Sequence, residues 1–504
     1  MCFKGMIEFL ENYKERIALA ISGLKALGVK DVKIYLEDSS DFIVAFFAAL
    51  SLDLKPLVLS SNFSDDDRFF IDDLNKILSN KPSEFNISKD AKFYLKTSGS
   101  SGEAKLIEKS LHQMKTEALA LKDSFEFGGE FLASVSHQHM FGLTFKIFLP
   151  LILGAKIEPK FLNYPEFIYE KELNNRTLIS SPTILKALLQ NSKKGLLSGL
   201  KNIICAGARL DDDLRDEINS LTTCINIYGS TETGVVAFDK NSGFRAISGV
   251  KLNTKDDVLV VSSPWCESFK TSDLALVNGD ELTLLGRADR IVKINEKRIS
   301  LDSVERLILS NELIDDCVCV ANNTKERISA IICLSNKGKE LFRSDGKIAV
   351  SNALKGDLRA EFANNIRHFK IVPKIERNQQ GKLPKILADE LLNKRYKFEF
   401  KQESLSETNA VFSAFVGYEL FYFDGHFLDF PLVPGFVQVE CIYKLAKELR
   451  LDLTSTNKIE AMKFNGFLRP GDSAKFELNI KNNKLYFNIF ANDKASASGR
   501  ICIN

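Results

Sequence analysis

The sequence has no excess of either charge and no long hydrophobic run. Its 504 residues carry 68 Lys+Arg against 66 Asp+Glu, a net charge of +2, with the two signs interleaved along the chain. Because no basic arm is present to neutralise phosphates, nucleic acid is not expected as a partner. The longest uncharged apolar stretch, 42–52, is far shorter than the ~20 residues that cross a bilayer, so no membrane span is expected.

Paired cysteines at metal-ligand spacing are also missing. The nine cysteines are scattered, and only Cys317 and Cys319 lie close together. This distribution predicts reduced, mostly buried thiols rather than disulfides or a zinc site. The first residues contain Glu8 and Glu11 and no basic segment followed by an apolar one, so a secretory signal is not expected. We therefore expect a cytoplasmic protein.

The length predicts about three folding units at roughly 150 residues each. Residues 32–36, 40–50 and 57–60 read as strand, helix and strand, and further apolar strand candidates follow at 131–135, 177–179, 202–205 and 224–227. This alternation predicts a layered α/β domain over 1–285. A charged segment starting at 286 indicates a hinge, followed by a second unit to 392 and a third over 393–504.

A loop of hydroxyls, glycines and one lysine follows the strand candidate Tyr94-Leu95-Lys96. Glycines let backbone N–H groups turn toward an anion, and the lysine adds charge. The loop is not a Walker A motif, because Glu103 and Ala104 separate its last glycine from the lysine. Read alone, such a loop is more often a plain flexible turn; its candidate phosphate-binding residues are Thr97, Ser98, Gly99, Ser100, Ser101, Gly102 and Lys105.

Four further motifs follow this loop. Tyr228-Gly229-Ser230-Thr231-Glu232-Thr233-Gly234 combines a ring that can stack on adenine with a carboxylate that can hold Mg²⁺. Thr271-Ser272-Asp273, Gly286-Arg287-Ala288-Asp289-Arg290 and Asn378-Gln379-Gln380-Gly381-Lys382 come next. In this order and spacing, the motifs resemble those of the adenylate-forming superfamily, which includes acyl-CoA synthetases and peptide-synthetase adenylation domains. The resemblance covers about 1–392.

The resemblance implies a large α/β adenylation domain, a small α+β lid domain and roles for individual residues. Glu232 would bind Mg²⁺, Lys382 would bridge the substrate carboxylate and the α-phosphate of ATP, and Asp289 would be the hinge of the lid. His139 would border the acyl pocket, with simple packing as its alternative. The other nucleotide contacts would come from the phosphate loop and from Gly207, Ala208, Tyr228, Thr231, Asp273 and Arg287. Asp273 as a turn residue and Arg287 as a surface ion pair are the competing interpretations.

The implied chemistry is activation of a carboxylic acid. Because a carboxylate and a triphosphate repel each other, attack at the α-phosphorus needs cations where negative charge accumulates. The family then passes the acyl group to a phosphopantetheine thiol, on acyl carrier protein or CoA. This chain departs from the family at Asn295-Glu296-Lys297-Arg298, where Glu296 places a charge in the expected thiol channel.

The C-terminal unit carries a second set of candidate residues. Pro434-Gly435 is predicted to open an amphipathic helix beside a loop that contains His426. A thioester carbonyl could be polarised by the Gly435 N–H while His426 removes the α-proton and Glu440 protonates a departing β-hydroxyl. The predicted apolar face of the helix consists of Phe436, Val439, Ile442, Tyr443, Ala446 and Leu449.

The pattern His426-Phe427, Pro434-Gly435 and Glu440 resembles the 3-hydroxyacyl-carrier-protein dehydratases of the hotdog fold, with Leu428 in place of the usual proline. The resemblance implies an α+β hotdog domain, a homodimer and dehydration of 3-hydroxyacyl thioesters. A bifunctional enzyme for fatty-acid-like or aryl polyene synthesis is the leading interpretation. The alternatives are a hotdog thioesterase and a non-catalytic module for carrier docking or dimerisation.

Overall fold

The structure is a computed structural model that describes residues 10–60, 67–98, 104–207, 210–294, 297–322, 327–358, 365–377, 383, 385–453 and 458–503. The chain forms two compact units. The first is Met1–Ala288, and the second combines Asp289–Arg377 with Leu383–Asn504. Each unit is described separately below.

Two helices of the first unit begin at polar side-chain caps. Asp38 accepts a hydrogen bond from the Ser40 N–H at 2.8 Å and starts the apolar helix Ser39–Ser51. Ser110 and Gln113 form a capping box at the start of Leu111–Ser124. The remaining α-helices described here are Lys14–Leu27, Met140–Gly142, Leu149–Leu153, Pro165–Tyr169, Pro182–Leu189 and Asp212–Asn219, with a π-helical turn at Leu143–Phe148 and 3-10 turns at Leu74–Ile77 and Lys194–Gly199.

The smaller sheet of the first unit presents the phosphate-loop hairpin. Its described strands are β1 Val32–Ile34, β2 Leu57–Val58, β3 Phe69–Ile71, β4 Lys92–Ser98 and β5 Ala104–Ser110, in the order β3-β1-β2-β4-β5. The first four run parallel, and β4 and β5 pair antiparallel. The candidate phosphate loop therefore connects two adjacent strands.

The larger sheet changes from parallel to antiparallel pairing at β10. Neighbouring strands in the row β7-β6-β8-β9-β10 are parallel, whereas those from β10 onward are antiparallel. The sheet order is β13-β14-β15-β16-β12-β11-β10-β9-β8-β6-β7. Its described strands are β6 Glu130–Ala133, β7 Lys156–Ile157, β8 Arg176–Ser180, β9 Asn202–Cys205, β10 Thr223–Ser230, β11 Gly234–Asp239, β12 Phe244–Ala246, β13 Lys251–Lys255, β14 Val258–Ser263, β15 Cys266–Asn278 and β16 Glu281–Arg287.

The second unit begins with small sheets and helices. Strands β17 Ile291–Ile294 and β18 Lys297–Ser300 form a hairpin, and β19 Ile314–Asn322, β20 Arg327–Leu334 and β21 Ile366–Ile371 form a three-stranded sheet. The helices are Leu301–Leu309, Asn336–Asp357 and Lys385–Asn393.

An antiparallel sheet around one helix completes the second unit. The described strands are β22 Lys401–Leu405, β23 Asn409–Phe415, β24 Ile459–Phe464, β25 Ser473–Lys481, β26 Lys484–Ala491 and β27 Lys494–Cys502, in the order β22-β23-β25-β26-β27-β24. The helix Gly435–Ala446 buries Val437, Cys441, Ile442 and Leu445 in the same hydrophobic cluster as Phe412, Phe476 and Phe487 of the sheet. That cluster also contains Val304, Ile332 and Phe342, so the two parts of the second unit share one core.

The predicted fold class is confirmed: an α/β first region is followed by two α+β parts, the second with the hotdog arrangement of a sheet wrapped around a helix. The strands predicted at 32–36 and 57–60 are shorter than expected, at Val32–Ile34 and Leu57–Val58. The predicted apolar face of the C-terminal helix is wrong at its start, because Phe436 is 67% exposed and the buried positions are Val437 and Cys441. Helical periodicity alone does not determine which side of the first helical turn packs against the sheet.

Phe46 lies at the centre of a buried aromatic cluster in the first unit. Its ring centroid is 5.3 Å from that of Phe42, 5.1 Å from that of Phe93 and 6.3 Å from that of Phe148. Phe46→Ala should lower the free energy of unfolding by about 3–5 kcal/mol, because a cavity replaces a fully buried ring.

Urea unfolding followed by the fluorescence of Trp265, the single tryptophan of the sequence and buried in the first unit, measures this change. Leu27→Ala is the control, since Leu27 is 48% exposed and its truncation should change stability by less than about 0.5 kcal/mol. Equal midpoints for the two variants would contradict the prediction.

Candidate functional site

The motif 228–234 lies where β10 turns into β11. The register shifts between Tyr228 and Gly229, and a three-residue turn connects the strands. The turn is held by hydrogen bonds between Ser230 and Thr233, including Ser230 N–H to Thr233 Oγ1 at 3.1 Å. Thr231 and Glu232 are both half-buried on this turn. The side chains of Thr231 and Glu232 therefore project from a turn whose backbone is held by these hydrogen bonds.

Three residues from three separate motifs meet beside this turn. The Tyr228 hydroxyl donates a hydrogen bond to Asp273 Oδ2 at 2.5 Å. Asp273 on β15 is the register partner of Arg287 on β16. Burial, and then the negative charge of Asp273, raise the pKa of the Tyr228 hydroxyl, while the nearby Arg287 opposes this shift. A tyrosine hydroxyl, a carboxylate and a guanidinium thus lie close together, and Asp273 lies within strand β15 rather than in a turn.

The structure describes the phosphate-loop region in part. Backbone pairing joins Thr97 to Lys105 and Ser98 to residue 104, so the ends of the loop are adjacent. Gly99, Ser100, Ser101 and Gly102, and likewise Ala208, lie outside the described residues. Gly207 has a φ of +95° and open space around it, which is a backbone conformation that favours glycine after the buried strand β9.

A buried lysine and a buried glutamate form hydrogen bonds to the backbone in and next to the turn between β10 and β11, which we call the motif turn. Lys109 Nζ donates to the Glu232 carbonyl oxygen at 2.8 Å, and Glu117 Oε1 accepts from the Val235 N–H at 2.7 Å. Gly234 has a φ of +69°, and a side chain there would meet Glu117 and Trp265 at about 3 Å. These contacts hold the middle of the turn that carries Glu232 and the beginning of β11.

Sequence reasoning missed Lys109 and Glu117, although Glu117 gives a signal. It falls on the buried face of the helix Leu111–Ser124, between Met114 and Leu121. A charged residue on an apolar helix face needs a buried partner, so its position marks a polar contact in the interior.

His139 precedes the helical segment that starts at Met140. It is half-buried, and its carbonyl oxygen accepts a hydrogen bond from the Leu143 N–H at 2.7 Å. The neighbouring His137 is fully buried with Nε2 3.0 Å from the Leu36 carbonyl oxygen, and burial lowers its pKa well below the usual value. A π-helical turn follows at Leu143–Phe148, a local form often associated with functional sites.

The candidate residues of the proposed lid are described unevenly. Lys382, Asn295 and Glu296 lie outside the described residues. Arg298 is exposed and pairs in register with Lys293. The boundary between the two compact units falls between Ala288 and Asp289, the position of the expected hinge. Within the described ranges, no group of three or more His, Cys, Asp or Glu side chains could hold a metal ion by itself.

The C-terminal candidates share one pocket. A cavity of about 200 Å³ is lined by His426, Glu440 and the two neighbours of Gly435 in the chain, Pro434 and Phe436. Gly435 is the first residue of the helix Gly435–Ala446, and a side chain there would meet the Phe464 ring at 2.6 Å. His426 is exposed and lies near the Phe436 ring, with ring centroids 6.1 Å apart. One protomer therefore brings the predicted base, the predicted acid and a helix N-terminus to the same place.

Replacing the buried Glu117 should change the pH dependence of stability. Burial raises the pKa of its carboxyl from about 4.5 to about 7 in the folded chain, with Lys109 opposing the shift. The folded state therefore binds a proton that the unfolded state has lost between pH 4.5 and 7, so the free energy of unfolding falls as pH rises through this window, by up to about 3 kcal/mol. Glu117→Gln, which keeps an acceptor for the Val235 N–H, should flatten the fall.

Urea midpoints measured at pH 5, 6, 7 and 8 from Trp265 fluorescence test this expectation. Thr116→Val, on the same helix, should keep the wild-type pH dependence. An E117Q variant with the wild-type slope would show that Glu117 does not titrate in this window.

Comparison with known proteins finds a family match in each of two segments of the chain. Residues 72–258 match the model of the AMP-binding enzyme family. Residues 401–500 match the ApeI-like family, described as ApeI dehydratase. Bassianolide nonribosomal cyclodepsipeptide synthetase of Beauveria bassiana is 30% identical over 177 residues, which cover 32% of this chain and 5% of the synthetase. The chain therefore spans only a small part of this curated relative.

Two solved structures share the fold. ATP-bound MatB from Rhodopseudomonas palustris aligns with a TM-score of 0.64 and 19% identity, covering 75% of this chain and 92% of that one. O-succinylbenzoate coenzyme A synthetase from Bacillus subtilis, in complex with AMP, aligns with a TM-score of 0.63 and 17% identity, covering 77% and 93%. The resemblance predicted from the motifs is confirmed: one segment of the chain matches the AMP-binding enzyme family model and another matches the ApeI-like family model.

Proposed function

We propose that the chain is a bifunctional cytoplasmic enzyme. Its first part uses ATP to convert a carboxylic acid into an acyl-adenylate and then a thioester, and its C-terminal part dehydrates 3-hydroxyacyl thioesters. The observation that carries the first activity is the meeting of Tyr228, Asp273 and Arg287 beside the turn of Glu232. The observation that carries the second is the pocket shared by His426 and Glu440.

The groups of the first site suit a nucleotide. The Asp273 carboxylate can accept hydrogen bonds from ribose hydroxyls, Arg287 can donate to ribose or phosphate, and the Tyr228 ring can pack against adenine. Thr231 on the motif turn and the hydroxyls and amides of 97–102 would contact the phosphates, with Lys105 adding positive charge. Gly207 and Ala208 would border the base.

Mg²⁺ fits this site through Glu232. Hard cations prefer carboxylate oxygens, and a magnesium ion is typically held by one or two carboxylates together with substrate phosphates. The half-buried Glu232 stands on a turn whose carbonyl is held by Lys109, so its carboxylate is a suitable single protein ligand. When bound, the ion would neutralise charge on the phosphates.

The reaction is an in-line displacement. A carboxylate oxygen of the acid bonds to the α-phosphorus while the bond to the bridging oxygen of pyrophosphate breaks, and pyrophosphate leaves with the electron pair. The Lys382 ammonium would stabilise the charge that builds up between carboxylate and α-phosphate. His139 would border the pocket that receives the acyl chain. This assignment of Lys382 and His139 depends on the sequence motifs.

The acyl acceptor is proposed to be a phosphopantetheine thiol. One of the two solved neighbours supports a thiol acceptor, since it is named a coenzyme A synthetase. Thiolate attack on the acyl carbon would release AMP and leave a thioester. We favour acyl carrier protein over CoA as the carrier, because the C-terminal part resembles enzymes that act on carrier-bound chains. The charge of Glu296 would then affect how easily the thiol enters its channel to the acyl-adenylate.

The C-terminal pocket can carry out an elimination. With the thioester carbonyl at the Gly435 N–H, the helix N-terminus would stabilise the developing enolate. His426 would remove the α-proton, and Glu440 would protonate the β-hydroxyl, which leaves as water while the double bond forms. The match of 401–500 to a dehydratase family favours this reaction over thioester hydrolysis and over a purely docking role.

A homodimer is proposed through the C-terminal part. Phe436, which lines the pocket, is 67% exposed, and Phe464 and Phe467 are 52% and 61% exposed. Strand β24 is an edge of the six-stranded sheet and carries Ile459 and Phe464 at its ends. An exposed edge with apolar side chains suits pairing with a second copy. A pathway that repeatedly extends and dehydrates a starter acid, as in fatty-acid-like or aryl polyene synthesis, would use both activities.

Lys382→Ala should lower acid-dependent ATP–pyrophosphate exchange by at least about 100-fold, because charge stabilisation at the α-phosphate is lost. A screen of fatty, aryl and hydroxy acids with the wild-type chain first identifies the acid. Lys374→Ala is the matched control, since this exposed lysine lies in the same part of the chain. Undiminished exchange in the K382A variant would reject the assignment.

His426→Ala and Glu440→Gln should each slow hydration of a trans-2-enoyl pantetheine thioester by about 100-fold or more, since each removes a proton-transfer group. The loss of enoyl absorbance measures the rate, and Glu448→Gln, an exposed glutamate just beyond the same helix, is the control. Release of free acid and thiol without formation of the 3-hydroxyacyl thioester would indicate a thioesterase. Unchanged turnover in both variants would indicate a non-catalytic docking module.

A further inference from the structure

The loop that carries His426 is contacted by a helix from another part of the second unit. This loop, 424–434, connects the 3-10 turn Phe421–Asp424 to the helix Gly435–Ala446. The contacting helix is Asn336–Asp357, which precedes β21 and lies outside the segment that matches the dehydratase family. We call it the lid helix, after the lid region of the sequence in which it lies.

Gly346 is the point of closest approach between the lid helix and the loop. A side chain there would lie 2.0 Å from the Leu428 carbonyl oxygen and 3.3 Å from Asp429 Cα. Its backbone, with φ 79° and ψ −177°, also interrupts the helix. Steric access and the positive φ independently require glycine at this position. The kink lets the helix backbone rest directly on the loop backbone.

Charged side chains on both sides of the kink extend this contact. Lys347 Nζ lies 2.5 Å from Asp424 Oδ1 at the start of the loop. Arg343 Nη2 lies 2.8 Å from Oδ1 of the buried Asp472, and Arg343 also donates to the Pro470 carbonyl oxygen. A buried carboxylate needs such a partner, so the Arg343 position is strongly specified.

The other side of the loop is held by Arg469. Its Nη2 donates to the Arg343 carbonyl oxygen of the lid helix, and its Nε donates to the Pro431 carbonyl oxygen at 3.3 Å. The guanidinium carbon lies 3.8 Å from the centre of the Phe430 ring. Arg469 therefore connects the lid helix to the end of the loop that leads into the Gly435 helix.

Buried aromatic rings also pack between the lid helix and the residues that precede the loop. Phe342 of the lid helix is 1% exposed, and its ring centroid is 5.8 Å from that of Tyr418 and 6.0 Å from that of Phe423. Tyr418 and Phe423 lead into the loop from its N-terminal side. The helix therefore contacts the loop through backbone, ion pairs and a hydrophobic anchor.

We propose that the lid helix is a positioning element for the dehydratase, with Gly346 and Lys347 as positioning residues that hold the His426 loop in its active geometry. The inference rests on the dehydratase function proposed above. Neither residue lines the pocket of His426 and Glu440, so each acts through the loop. The ligase and dehydratase parts of the chain would then depend on each other structurally and could not be exchanged as independent modules.

The test uses full-length variants and two readouts. Lys347→Ala should lower kcat for enoyl-thioester hydration about threefold to fivefold with little change in KM, and should speed hydrogen exchange of the 424–434 amides by a similar factor. Gly346→Ala should lower kcat about 100-fold, because the loop must shift. Lys355→Ala, on the same helix and without an ion pair to the loop among the described residues, is the control and should change neither readout.

A charge exchange separates positioning from general destabilisation. Lys347→Asp combined with Asp424→Lys should recover loop protection relative to either single change. If G346A does not fold, the Lys347 variants decide the question. Unchanged kcat and unchanged loop exchange in K347A would overturn the proposal. If the wild type shows no hydration activity, the dehydratase function fails, while loop exchange still reports whether the lid helix holds the loop.

Discussion

The hydrogen bond from the Tyr228 hydroxyl to the Asp273 carboxylate connects two distant motifs of the first unit. It requires that β10, where the sheet changes from parallel to antiparallel pairing, lie within reach of β15. Burial keeps the tyrosine protonated and donating, and Arg287 balances the charge of the carboxylate. The buried pair Lys109 and Glu117 holds the middle of the adjoining turn and the beginning of β11. The candidate nucleotide site thus depends on polar groups whose burial leaves them few alternative partners.

The second unit applies a different constraint, which is a continuous hydrophobic core. Side chains as far apart in sequence as Val304, Phe342 and Phe487 pack in the same cluster. Elements of residues 289–377 and of the segment that matches the ApeI-like family therefore contribute to one hydrophobic core. A sharp backbone kink at Gly346 and a buried carboxylate at Asp472 occur at the surface where these elements meet. Such features are costly unless the surrounding structure requires them, which supports a defined contact rather than a flexible linkage.

Sequence reasoning succeeded where chemistry is local in the chain. The helix that begins at Gly435, directly after Pro434, follows from residues close together in sequence. It failed at Phe436, which was expected on the buried face and is 67% exposed, because periodicity does not define the rotation of a first helical turn. It also missed Lys109, whose partner, the Glu232 carbonyl, is distant in sequence and is a backbone atom.

The order and spacing of the motifs were enough to predict the resemblance to two families. The fold class could also be predicted, since hydrophobic periodicity and turn residues act over short stretches of chain. Tertiary structure alone decided that Glu117 supports the motif turn and that the lid helix rests on the His426 loop. Both contacts join residues far apart in sequence, and their free energy comes from burial and close backbone approach. Those quantities exist only after the chain has folded, because no local pattern specifies which distant surface will cover a given residue.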